Sequence, residues 1–165
     1  MIVVSILTKV EEEFYFTLKK LSQNSVSYSD FSGIGLILYD PNIFNNNWYV
    51  DLRPSIQCPR NVRLGNMNRV LSTLLEIAKN SNPLHDGFHF FNYSTGLLTH
   101  IAQYFFPPII PKLKINEYYG TRYHSALYGS CINGVILTGT INSNNKYFVF
   151  KKGHLVKESE FKENY

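Results

Sequence analysis

The chain has 165 residues and a mass of 19.1 kDa, a size that suits one domain and leaves little room for a second. Hydrophobic residues make up 44% and charged residues 17%, which excludes a disordered chain and leaves the surface to Asn, Ser, Thr and Tyr. The formal net charge of +4 suits a phosphate-bearing ligand, but it lacks the clustered basic stripe that would mark a DNA or RNA binder.

The opening MIVVSILTK has an apolar run but no basic segment before it and no small-residue cleavage site, so it does not read as a secretory signal. Thr8-Lys9-Val10-Glu11 matches a capping box, and Val10, Phe14, Leu18 and Leu21 follow at helical spacing, which predicts a helix over 8–22. Residues 31–39 form a buried-strand pattern stopped by Asp40-Pro41, and 48–52 a second strand. Asn68 is the expected N-cap of a helix running to Lys79, with Val70, Leu71, Leu74, Leu75 and Ala78 on its apolar face. Residues 87–93 and 97–106 read as a hairpin around Ser94-Thr95-Gly96, 121–131 as a helix, and 134–140 with 146–151 as a last strand pair. The charged tail from Lys157 is expected to fray. Strands interleaved with helices and several hairpins predict an α/β fold, a mixed and mostly antiparallel sheet flanked by helices, in a single domain over 1–165.

No stretch reaches the roughly 18 apolar residues of a membrane span. The longest, 96–110, is broken by Thr99, His100, Gln103, Pro107 and Pro108. Cys58 and Cys131 have no CxxC spacing, which excludes a disulfide scaffold and a cysteine zinc knuckle and fits a reducing cytoplasm.

Three features carry chemistry. Leu84-His85-Asp86-Gly87 sits between a helix end and a strand start, where a carboxylate is free to bind a cation and glycine lets a ligand approach the backbone; an ordinary Asp-Gly turn is the alternative. Gly120-Thr121-Arg122-Tyr123-His124-Ser125-Ala126 opens a helix, where free amides attract anions and Thr, Arg and Ser add donors suited to phosphate; a capped helix with a surface arginine is the alternative. His85, His89, His100 and His124 form the third set, but an HDxxH spacing on a strand lacks the helical geometry of zinc motifs, so exposed or satisfied histidines are the favoured expectation. There is no GxSxG elbow and no Walker loop, and Gly33-Ile34-Gly35 lacks the third glycine of a dinucleotide fingerprint.

Taken in order, LHDG at 84–87, a strand pair, a proline-bearing loop, GTRYHSAL at 120–127, a Val-Ile-rich strand and a hairpin ending KKGHL at 151–155 resemble the diadenylate cyclase domain. The resemblance covers 68–155, with Asp86 and Arg122 standing 36 positions apart. It implies a sheet of about seven strands with helices around it. It also implies an activity in which two such domains meet face to face and join two ATP molecules into cyclic di-AMP. By this resemblance Asp86 holds a divalent metal, Mg or Mn, and Gly87 follows it, while Gly120, Thr121 and Arg122 contact phosphate. Phe88 then stands beside the nucleotide and Ser125 adds a hydroxyl. In an active enzyme Asp86, Arg122 and His124 would carry catalysis.

The departures bear on that activity. The Arg-His-Arg of the family reads Arg122-Tyr123-His124, the alanine after the glycine is Phe88, and the later acidic run corresponds to Thr138-Gly139-Thr140. His124 replaces an arginine only in part, since an imidazole lacks the planar fork of donors that a guanidinium presents. Losing one preorganised electrostatic donor commonly costs about 10² to 10³ in rate. The favoured reading is a cytoplasmic, sensor-type domain that binds an adenine nucleotide or cyclic dinucleotide at a degenerate site, away from membranes. It would act through a second copy of the chain or a separate effector protein. An active cyclase with a reorganised site is the first alternative. A structural or interaction module, its exposed aromatics facing protein partners, is the second.

Overall fold

The computed structural model describes residues 7–164. Seven strands form one sheet: β1 Ile34–Tyr39, β2 Tyr49–Asp51, β3 Phe88–Asn92, β4 Leu98–Phe105, β5 Val135–Ile141, β6 Tyr147–Lys151 and β7 His154–Leu155, in the order β2-β4-β3-β1-β5-β6-β7. Only β1 and β3 are parallel; every other pair is antiparallel. All six residues of β1 are buried, as befits the middle strand, covered on both faces.

The alternation of side chains divides the core in two. Leu36 and Leu38 face α1 (Lys9–Ser25) and α2 (Met67–Ile77), where they join Phe14, Leu18, Leu74 and Phe91. Ile37 and Tyr39 face the other way, toward Phe90, Phe105 and Phe150 and the Ala126–Leu127 face of α3, Thr121–Gly129. The result is a helix–sheet–helix sandwich.

Several boundaries differ from the sequence expectation, for local reasons. α1 runs one turn past residue 22 because the Ser22 and Ser25 hydroxyls donate to the Asn145 carbonyl and side-chain oxygen across the β5–β6 turn. Asn66, not Asn68, caps α2, its Oδ1 accepting from the Arg69 amide at 3.4 Å. β1 starts at Ile34 rather than 31, since Gly33 has a φ of +90°. The chain expected to fray beyond Lys157 is a 3-10 helix, Glu158–Asn164, in which Phe161 is buried 4.5 Å from the Tyr15 ring and 5.5 Å from that of Phe16. Both cysteines are free thiols, and burial pushes that of Cys58 up to about 11. Among the described residues no helix is long and apolar enough to cross a membrane.

The capping box forms in full. The Thr8 amide donates to Glu11 Oε2 at 2.9 Å and the Glu11 amide to Thr8 Oγ1 at 3.4 Å. Glu11 is buried, and its other oxygen accepts from Lys151 Nζ at 3.1 Å, so the cap also ties α1 to β6. Thr8→Ala is expected to lower stability by about 1 kcal/mol in urea denaturation. An unchanged midpoint and slope would mean that the cap contributes nothing.

Candidate functional site

Strand order decides what meets at one end of the sheet. Because β1 and β3 are parallel neighbours, Ser32, just before β1, and the turn 85–87, just before β3, arrive together. β5 is antiparallel to β1, with Ile34 against Ile141, so the 142–144 turn arrives there too. β4 pairs Gln103 with Phe88 and brings Tyr104 and Phe105. The N-terminus of α3 completes the ring. These segments enclose a cavity of about 570 Å³, within the roughly 300–1,000 Å³ of small-molecule sites.

Of the residues singled out from the sequence, Gly87, Phe88, Gly120, Thr121, Arg122 and Ser125 line this cavity; Asp86 and His124 do not. Arg122 is half-buried. Its Nη1 donates to the Ser32 carbonyl at 3.5 Å and its Nη2 to that of His85 at 3.3 Å. The space it fills exists because residue 33 is glycine: a Cβ there would lie 2.8 Å from Arg122 Nη1, on a backbone whose φ of +90° already disfavours a side chain. Burial pushes the guanidinium below its usual pKa and Asp86 pulls it back up. Among the described residues Arg122 forms no ion pair. A poorly compensated cation therefore faces the cavity.

Gly120 caps α3 without a side-chain hydrogen bond, and the helix first closes with the His124 amide on the Gly120 carbonyl at 3.2 Å. The amides of 121–123 stay outside the intrahelical ladder, beside the Thr121 and Ser125 hydroxyls. An aromatic wall adjoins them. Tyr119 and Tyr123 stack at 4.6 Å and Phe148 meets both edge-on, while Lys146 Nζ donates to the Tyr119 hydroxyl at 2.8 Å.

Phe88 is only 4% exposed, and its ring packs on Phe105 and over Gly35, where a Cβ would come within 2.7 Å of it. It is a wall of the second core that closes the cavity floor. His124 Nε2 lies 3.1 Å from the Asn116 carbonyl, on the loop before α3. In the stretch where the resemblance leads one to expect carboxylates, the Thr138 hydroxyl donates to the Ala126 carbonyl at 2.6 Å and Thr140 lines the cavity.

Asp86 reaches the same end of the sheet, but its carboxylate turns outward and is half exposed. Oδ2 lies 3.5 Å from Arg53 Nη2 and Oδ1 3.5 Å from His85 Nδ1. The carbonyl of His85, one residue earlier, accepts from Arg122. Gly87 needs its residue type: φ is +77°, and a Cβ would lie 2.4 Å from the Gln103 carbonyl.

These donors do not fit a resident metal. Among the described residues no three His, Cys, Asp or Glu side chains gather at one point. His89 is fully buried on β3 and its Nδ1 accepts from the Ala102 amide at 3.1 Å, so His85 and His89 share no site. Asp86 is a single carboxylate already engaged by an arginine. Sequence reading passed over Arg53, Ser32 and the 142–144 turn. Asn-Ser-Asn-Asn reads as a turn, and only the pairing of β5 beside β1, a hundred residues apart, brings it to Gly33.

No protein-family model matches the chain, and no curated protein does. Solved structures do. DacA from Staphylococcus aureus superposes with a TM-score of 0.58 at 18% identity, over 90% of this chain and 88% of that one. A hypothetical membrane spanning protein from Bacillus cereus superposes with a TM-score of 0.60 at 14% identity over 90% of this chain, which spans 62% of that protein. At such identities the shared property is architecture: the chain has the diadenylate cyclase fold, one mixed seven-stranded sheet between helices.

Proposed function

We propose that this is a nucleotide-binding, sensor-type domain of the cytoplasm that holds an adenine nucleotide or a cyclic dinucleotide in the cavity at the α3 N-terminus, without useful cyclase turnover. The observation that carries this reading is Arg122, a half-buried guanidinium lining an aromatic cavity with no ion-pair partner among the described residues. A phosphate would accept from its remaining donors and from the open amides of 121–123, where the helix dipole favours an anion. The Thr121 and Ser125 hydroxyls add donors around it. The Tyr119–Tyr123 stack offers a face for a base.

The same inventory argues against turnover. Phosphodiester formation needs an activated ribose hydroxyl and stabilisation of charge growing on the α-phosphate. Arg122 answers for one such donor. The second arginine is His124, turned to Asn116, and the later acidic run reads Thr138-Gly139-Thr140, without a carboxylate. Since Asp86 is paired with Arg53, no step is assigned to a metal ion. Any signal would pass through the mouth of the cavity, where Tyr118 is 96% and Tyr104 57% exposed, to a second copy or an effector protein.

Calorimetry with ATP and with cyclic di-AMP tests this reading, alongside chromatography of an ATP incubation. Heat with at least one ligand and no cyclic product is the expected result. No heat with either, from folded protein, removes it. Product that disappears in Asp86→Asn would replace it with the cyclase reading.

A further inference from the structure

Arg53 stands at the end of β2 and is held on three sides. Its Nε donates to the Pro83 carbonyl at 3.1 Å, its Nη1 to the Leu52 carbonyl at 2.9 Å, and its Nη2 lies 3.5 Å from Asp86 Oδ2. The segment beneath is itself anchored: the Leu52 amide donates to the Ala102 carbonyl and the Arg53 amide to Asp51 Oδ1. On the far side, Asn82 organises the turn, taking the Leu84 amide on its side chain and the His85 amide on its carbonyl. One guanidinium thus bridges the edge of the sheet and the loop that carries Asp86.

We propose that Arg53 is the built-in cation of Asp86. It occupies the carboxylate in place of a divalent ion, and it positions the 83–87 turn whose His85 carbonyl orients Arg122. If the cavity binds a nucleotide as proposed above, that binding proceeds without a divalent metal.

The chemistry favours this assignment. A bare ion pair this exposed is worth little, but here the guanidinium is fixed by two carbonyls before it meets the carboxylate, so little side-chain freedom remains to be lost. A magnesium or manganese ion arriving at Asp86 would face the neighbouring positive charge of Arg53 and compete with it for the carboxylate. To take Oδ2 it would have to displace Arg53 Nη2, which the Pro83 and Leu52 carbonyls hold in place through the rest of the guanidinium. The planar fork matters as well, because an ammonium group does not reach two carbonyls and a carboxylate in one plane.

The experiment is a titration of the ¹⁵N-labelled full chain with substoichiometric Mn²⁺, read as paramagnetic broadening of amide resonances. In the natural sequence the amides of 84–87 should stay sharp. In Arg53→Gln they should broaden selectively, and in Arg53→Gln with Asp86→Asn they should sharpen again. Broadening at 84–87 in the natural protein equal to that in Arg53→Gln overturns the proposal. So does an Arg53→Gln variant as silent as the natural chain. A second arm measures ATP affinity with Mg²⁺ and with EDTA. The two should agree to within about twofold, and a gain of about tenfold with the metal overturns metal independence. If ATP binds in neither buffer, the nucleotide reading fails while the broadening still decides what Arg53 does.

Discussion

Arg122→Ala should lower the affinity for ATP or cyclic di-AMP by roughly 10- to 100-fold. Charge-assisted hydrogen bonds contribute about 1.5–3 kcal/mol each, and a loss of about 1.4 kcal/mol is tenfold. The guanidinium is poised for that role: burial disfavours its charge, Asp86 only partly restores it, and no carboxylate of the described residues pairs with it. An anion entering the cavity supplies the missing compensation, which is why binding at this position should exceed what an exposed arginine gives. Removing the side chain also releases the Ser32 and His85 carbonyls, so a thermal melt must accompany the calorimetry. Arg122→Lys separates charge from geometry. It keeps the positive charge and loses the fork, and should fall between the natural protein and the alanine variant. An alanine variant that melts normally and binds as tightly as the natural chain would end the assignment of Arg122 to phosphate.

What was legible in the sequence is what is local. The capping box of α1 and the strand patterns of β1, β3 and β5 depend on neighbours within a few residues, and each forms close to its expected place. The Asp86 and Arg122 motifs were visible for the same reason, since each is a short string. Their relation was not. The parallel pairing of β1 and β3 brings the Asp86 turn beside Ser32, and Arg122 reaches both from α3, but the Asp86 carboxylate lies toward Arg53. That contact joins segments whose neighbourhood exists only through the β2-β4-β3 order, which no periodicity encodes. Phe88 illustrates the complementary case. The resemblance puts it beside a nucleotide, and it lines the cavity; Gly35 on the adjacent strand leaves a space for its ring, so it belongs to the core as well. Phe161 was hidden by the charged residues around it, since one aromatic in a polar tail gives no period to read.

The protein should lose stability steadily as pH falls from about 6.5 toward 3, and His89 should account for a large part of the loss. The ring is fully buried, and burial, reinforced by the positive charge of Arg122, pushes its pKa down to about 3 from an ordinary 6.5. A histidine depressed in the folded state contributes its full stability above the unfolded pKa. As pH drops below that value the unfolded chain takes up a proton that the folded chain refuses, and stability falls by roughly 1.4 kcal/mol per pH unit until the folded ring protonates as well. His100 is lowered too, with burial opposed by Asp51, and adds to the same slope. The geometry says where the structure gives way. Nδ1 accepts from the Ala102 amide, so the neutral ring carries its proton on Nε2, which has no partner. Protonation would set a second donor against that amide, at a residue whose φ of +50° already strains the β4 bulge. The bulge adjoins Gln103, whose carbonyl lies over Gly87, so acid should loosen the cavity end of the sheet first. His89→Asn keeps an acceptor near the Nδ1 position and cannot titrate. Urea unfolding of both proteins at pH 7 and pH 5 measures the difference: the variant should lose less stability between the two, by about one proton's worth of slope. Equal losses in the two proteins would mean that the buried imidazole is not what acid attacks.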